Sequence, residues 1–158
     1  SRRTLFNYIK DKESAVLGPE MSEEVENQFQ NFAAGLPTGS LREDSEIIAM
    51  AEFNRAVGDE FFPEISQLTA QALAKDTKLR ALYCQRNGRI IQRVRQAVQA
   101  REGWKSSDPR LTPTVNIIYI QFLTAFETFV ETRGGTSLAD AFRNAGAIFE
   151  DYFNDELA

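Results

Sequence analysis

Apolar residues along this chain recur at three- and four-residue spacings, and strand-like alternation is scarce, so the pattern predicts an all-helical protein. Residues 1–9 read as a short helix of two turns. Asp11 suits the N-cap of a long helix that runs through Val16, Val25, Phe29 and Phe32 and ends near Gly35-Leu36-Pro37. Gly18-Pro19 bends or breaks that helix early, because proline cannot donate the helical hydrogen bond. Thr38-Gly39-Ser40 is a loop. The next helix carries Ile47, Ile48, Ala51 and Val57 and stops near Gly58, and another has Pro63 in its first turn with Ile65, Leu68 and Leu73 behind it. Asp76 or Thr77 caps a long helix reaching about Glu102, with Leu79, Leu82, Tyr83, Ile90, Ile91, Val94 and Val98 inward and Gly103 at its end. After a loop at 104–112, Thr112-Pro113 supplies a cap and a first-turn proline to a helix that runs to about Thr132, where Gly134-Gly135 stops it. Thr136 or Ser137 caps the last helix, with Asp140 in the first turn favouring the helix dipole.

In residues 114–132 apolar side chains go nearly all round the cylinder. A helix of that kind must be covered on both sides. A domain this small has few wholly interior helices, so a second copy of the chain is the expected cover. The last helix adds a stripe of Leu138, Phe142, Ala145, Phe149 and Tyr152 or Phe153, and Ala145, Gly146 and Ala147 allow close approach. Two such helices from each chain make a four-helix bundle with two-fold symmetry. The expected homodimer residues are Ile118, Phe122, Phe126, Phe129, Phe142 and Phe149; the alternative is a monomer built round a central helix.

Composition narrows the chemistry. With 158 residues, 42% hydrophobic and 26% charged, the chain suits one globular domain with a real core. It has no histidine, which removes the commonest general base and the commonest ligand for zinc or iron. Acid pairs such as Glu23-Glu24 and Asp59-Glu60 are sequence neighbours on solvated stretches, and there is neither a glycine-rich phosphate loop nor a Ser-His-Asp set. We therefore expect no enzyme, no metal and no cofactor. Cys84 is the one cysteine and cannot form an internal disulfide, which suits a reducing cytoplasm; it falls on an apolar helix face and is expected to be a buried structural thiol. Ile117 to Val130, the most apolar stretch, is broken by Gln121, Thr124, Glu127 and Thr128. It falls short of the roughly 20 apolar residues that span a bilayer, so no membrane partner is expected. The chain opens Ser1-Arg2-Arg3 without an initiating Met and without an apolar run behind it, so we expect a missing N-terminal piece and no signal peptide.

Charge is uneven. The net charge is −5, so contact with nucleic acid is expected to be local. Residues 1–12 carry Arg2, Arg3, Lys10 and Lys12 against Asp11 alone, with Thr4, Asn7 and Tyr8 among them, and are the best candidate for phosphate contact. Residues 20–64 are acid-rich, against Arg42 and Arg55. Residues 75–103 are base-rich, and Arg86, Arg89 and Arg93 fall on one helical stripe. That stripe reads either as a solvated face opposite Leu82, Ile90, Val94 and Val98, or as a surface for an acidic effector or a second stretch of DNA.

Ser1-Arg2-Arg3-Thr4-Leu5-Phe6-Asn7-Tyr8-Ile9-Lys10-Asp11-Lys12-Glu13 resembles the signature of the TetR family of transcriptional regulators. That signature covers the recognition helix of a helix-turn-helix and the start of the helix after it; Ile9 stands where the family usually has Phe. The resemblance implies a TetR-like all-α bundle. Residues 1–17 would be the remnant of the DNA-binding helix-turn-helix, ahead of which the family has two further helices. Residues 18–158 would be the effector-binding and dimerisation domain. It further implies that Thr4, Tyr8 and Lys12 hold phosphates, that Arg2, Arg3 and Asn7 reach base edges from the helix opened by Ser1, and that Leu5, Phe6 and Ile9 pack the small domain. The implied function is a repressor, homodimeric on a double-stranded DNA operator and released by a small-molecule effector. The alternative is a dimeric helical interaction module with no DNA role.

The effector is expected among the central helices, spanning about 43–57, 64–74 and 77–102 and partly closed by 114–132. Candidate lining residues are Phe53, Asn54, Phe61, Phe62, Tyr83, Arg86, Asn87 and Phe122, each of which also suits plain core packing. The aromatics point to an apolar or aromatic molecule, with Arg86 and Asn87 able to fix a polar group on it.

Overall fold

The computed structural model describes residues 23–57, 68, 71–72 and 74–155, and within these only the backbone at 54–57 and 152–155. The described residues form five α-helices and no strand: α1 (Glu23–Ala33), α2 (Leu41–Val57), α3 (Thr77–Glu102), α4 (Leu111–Glu131) and α5 (Leu138–Asp155). The readings that fall on residues 1–22, and most of those on 58–73, lie outside the described residues.

Local chemistry sets each end. α1 closes at Gly35, whose φ of 76° is open to glycine at little cost, and the Leu36 amide folds back onto the Asn31 carbonyl. Ser40 caps α2 by accepting from the Glu43 amide at 3.3 Å. Asp76 caps α3, its carboxylate accepting from the Leu79 amide at 3.0 Å, and Gly103 ends it at φ 65°. Ser137 caps α5: the Asp140 amide donates to its hydroxyl, which in turn donates to the Asp140 carboxylate.

Thr112 is not the cap of α4. The helix begins two residues earlier than that cap implies, at Leu111, with Arg110 at the cap position and no side-chain capping bond. Pro113 still falls in the first turn, where its missing N–H costs nothing. The Thr112 hydroxyl instead accepts from Arg95 of α3 at 2.8 Å, tying the two helices together.

Two hydrophobic cores hold the bundle. The first joins Val25, Phe29 and Phe32 of α1 to Ile48 of α2, Val94, Ala97 and Val98 of α3, and Leu111 and Val115 of α4. The second joins Ala49 and Phe53 of α2 to Ala125 of α4 and Leu138, Ala141 and Phe142 of α5. Each fully buried phenylalanine stabilises by roughly 1.5–3 kcal/mol. α1 lies across α2 and α3, α3 packs on α4, α2 touches α5, and the α4–α5 contact is the most extensive.

Two expectations are corrected here. Cys84 is exposed, not buried. The cores hold the C-terminal half of α3, and in its N-terminal half Leu79 alone is fully buried. Tyr83, expected inward, is 37% exposed for the same reason, while Leu82, Ile90 and Ile91 are half-buried. Among the described residues no helix is long and apolar enough to cross a membrane.

Candidate functional site

The two cores do not fuse. A cavity of about 160 Å³ lies along the seam between them, open toward Tyr83 and Leu123, which are both partly exposed. Four helices build it. Phe32 enters from the last turn of α1. Ser45, Ile48, Ala49, Glu52 and Phe53 line it from α2, on the i, i+3/i+4 face that turns inward. α3 contributes Tyr83, Arg86, Asn87, Ile90 and Val94, and α4 contributes Ile118, Tyr119, Phe122, Leu123 and Phe126.

The wall is stiffened by aromatic packing. Phe53 meets Phe129 edge-on with ring centroids 5.1 Å apart and Phe126 at 6.0 Å, and Phe122 stacks on Phe126 at 6.5 Å. The volume is smaller than the roughly 300–1,000 Å³ typical of drug-sized ligands. It matches an apolar cavity of about 150 Å³, which accepts a molecule of benzene's size.

Polar groups are few and placed apart. Glu52 is 5% exposed. The Ser45 hydroxyl is buried two turns earlier on the same face and donates to the Leu41 carbonyl at 2.6 Å. Arg86 and Asn87 are half-buried on α3. Burial, and behind it the neighbouring Tyr83 and Cys84, pushes the Tyr119 phenol above its ordinary pKa, so it is a neutral donor at the cavity wall.

Of the expected effector residues, Phe53, Tyr83, Arg86, Asn87 and Phe122 line this one cavity. Phe61, Phe62 and the side chain of Asn54 lie outside the described residues. The sequence reading missed Glu52, Ser45, Tyr119 and the inward role of Phe126. For Glu52 and Ser45 a signal existed, since Ser45, Ala49 and Glu52 share the spacing of the apolar face that holds Ile48.

The basic stripe on α3 does not act as one surface. Arg93 pairs with Glu26 of α1 and lies over the Phe29 ring at 5.4 Å. Arg86 lines the cavity, and Arg89 is exposed.

The expected dimer residues have packing partners within the protomer, and all but Phe142 are partly exposed. Phe142 is 1% exposed in the second core. Ile118 packs on the first core, Phe122, Phe126 and Phe129 pack on the second, and Phe149 is half-buried. The large apolar side chains that α4 and α5 leave outside are Ile117 at 49% exposed, Ile120 at 48% and Ile148 at 65%, with Leu123 at 38% on the cavity rim. The three- and four-residue spacing explains the exchange: Ile117 and Ile120 stand on the face of α4 opposite Phe122 and Phe126.

The proposed DNA-contacting residues Ser1, Arg2, Arg3, Thr4, Asn7, Tyr8 and Lys12 lie outside the described residues. Compared with known protein families, with curated proteins and with solved structures, the chain finds no match.

Proposed function

We propose that this chain is the sensing and dimerisation body of a TetR-type regulator, whose residues 1–17 belong to a DNA-binding helix-turn-helix and whose DNA is released when a small molecule fills the cavity. The observation that carries the reading is the seam cavity itself. It is bordered by Phe32 at the end of α1, the described helix nearest in sequence to the signature at 1–13. A molecule in the cavity thereby touches the element that follows the DNA-reading segment. Such coupling between two sites is typically about 1–3 kcal/mol.

Two further features support it. Residues 1–12 are basic in a chain of net charge −5, which favours local phosphate contact over a diffuse one. The apolar side chains Ile117, Ile120 and Ile148 provide α4 and α5 with a face for a second copy, as the two-fold half-sites of such regulators require.

The test is selection of duplex DNA from a random library by the full-length protein, followed by titration with small aromatic compounds. A specific site bound in the ~10⁻⁸ M range or tighter is expected, together with its release by a compound that also raises the melting temperature. Failure to enrich any sequence over competitor DNA would remove the DNA role and leave a dimeric helical interaction module.

A further inference from the structure

We infer that the seam cavity takes an uncharged, apolar molecule built on a single aromatic ring, of the size of toluene, and discriminates against ions of the same shape. The inference rests on the sensing reading above and specifies its ligand. The void is about 160 Å³, close to the cavity of about 150 Å³ that stays dry and takes one benzene when its walls are apolar. Phe53, Phe122 and Phe126 border it together with Ile48, Ile90 and Ile118. Phe126 already packs edge-on to Phe53 and stacks on Phe122. A flat ring entering beside them extends the same kind of packing, which an aliphatic chain of equal area does not.

Ligand charge is disfavoured whichever its sign. An ion entering the void leaves its hydration behind, and only an opposite charge in good geometry recovers that loss. The wall carries one acid, Glu52, and one base, Arg86, and both already interact with other groups of the protein. A cation or an anion would therefore meet one like charge, and an opposite charge that is already engaged. The Ser45 hydroxyl is committed too, to the Leu41 carbonyl, and the Tyr119 phenol, its pKa raised by burial, is neutral. A neutral hydrocarbon needs none of these groups. It gains from leaving water, in proportion to the apolar area it buries.

The experiment compares three near-isosteres, neutral toluene, cationic benzylamine and anionic benzoate, by calorimetric titration and thermal shift near pH 7 on the full chain. Toluene is expected to bind about ten-fold or more tightly than either ion. Ala49 is buried in the cavity wall, so Ala49→Leu places a longer side chain in the void and should weaken toluene by about ten-fold with the helical circular dichroism spectrum kept. Should that variant fail to fold, Leu123→Trp at the partly exposed rim is expected to give the same loss. Toluene bound unchanged by the folded variant places it elsewhere and overturns the inference. Benzylamine or benzoate within about ten-fold of toluene also overturns it, while leaving the cavity as a ligand site. Binding of none of the three overturns both the inference and the sensing reading.

Discussion

The carboxylate of Asp44 and the guanidinium of Arg101 form an ion pair of 2.8 Å with both side chains almost wholly removed from solvent. Arg101 also donates to the Phe32 carbonyl at 2.8 Å and lies 4.9 Å over the Phe32 ring. Asp44 accepts from the Thr38 amide and hydroxyl at 3.0 and 2.9 Å. The cluster joins the end of α1, the loop before α2 and the last turn of α3.

Removing one partner strands the other charge. Arg101→Met is expected to destabilise by about 3–5 kcal/mol, read as a lower urea midpoint at pH 7. A loss under about 1 kcal/mol would show that the pair is not a structural element.

The same pair sets an acid limit. Burial raises the Asp44 carboxyl, but the Thr38 amide and hydroxyl and Arg101 outweigh it and hold its pKa below the ordinary value. A depressed folded pKa gives stability that is complete above the unfolded value, about 3.9, and is lost as pH falls through the folded one. Urea midpoints measured from pH 5 downward should therefore fall more steeply for the unmodified chain than for Asp44→Asn. Parallel slopes would contradict the assignment.

Gly146 of α5 sits against Gln121 of α4, so closely that an added Cβ would stand 2.6 Å from the Gln121 amide nitrogen. That nitrogen is committed, donating to the Phe142 carbonyl at 2.8 Å in a buried setting. Gly146→Ala is expected to cost about 1–3 kcal/mol through overpacking and a displaced hydrogen bond. In combination with Gln121→Ala the two losses should sum to less than their separate values; strict additivity in thermal unfolding would show that the residues do not interact.

The proposed second copy covers Ile117, Ile120 and Ile148. Ile120→Glu and Ile148→Glu should convert a dimer to a folded monomer, seen by light scattering with an unchanged helical circular dichroism spectrum. Phe142→Glu should unfold the chain instead, since its side chain is interior to one protomer. A monomer in the unmodified protein at micromolar concentration would end the dimer proposal.

For the DNA-bound full-length protein, Tyr8→Phe and Lys12→Ala should weaken all sequences about equally, because phosphate contacts carry no base information. Lys12→Ala should also reduce the salt slope of binding by roughly one unit. A changed base preference in either variant would reverse the roles assigned to them.

The helices were legible because their ends are written in local chemistry. Asp76, Gly103 and Ser137 act within a few residues of themselves, and each stands at the boundary its sequence implied. Tertiary placement was less legible. An apolar helix such as α4 shows that it must be covered, but not which face its own chain covers, so Phe126 and Phe142 were expected at a dimer interface while within the protomer they pack on or in the second core. Glu52 was lost among the acids of residues 20–64, since burial of a charge depends on neighbours distant in sequence. Arg101 was hidden likewise, one base in a basic block, until Asp44 and Phe32 were brought to it by the fold.

The position of Phe32 has a mechanical consequence. Arg101 grips its carbonyl and covers its ring, while the same ring borders the cavity. α1 is thus pinned at its C-terminal end beside the void, while Val25 in the first core and the Glu26–Arg93 pair hold its other end. Its 11 residues make a strut of about 16 Å. Displacing Phe32 from the void would therefore strain the Arg101 grip at one end and the Glu26–Arg93 pair at the other.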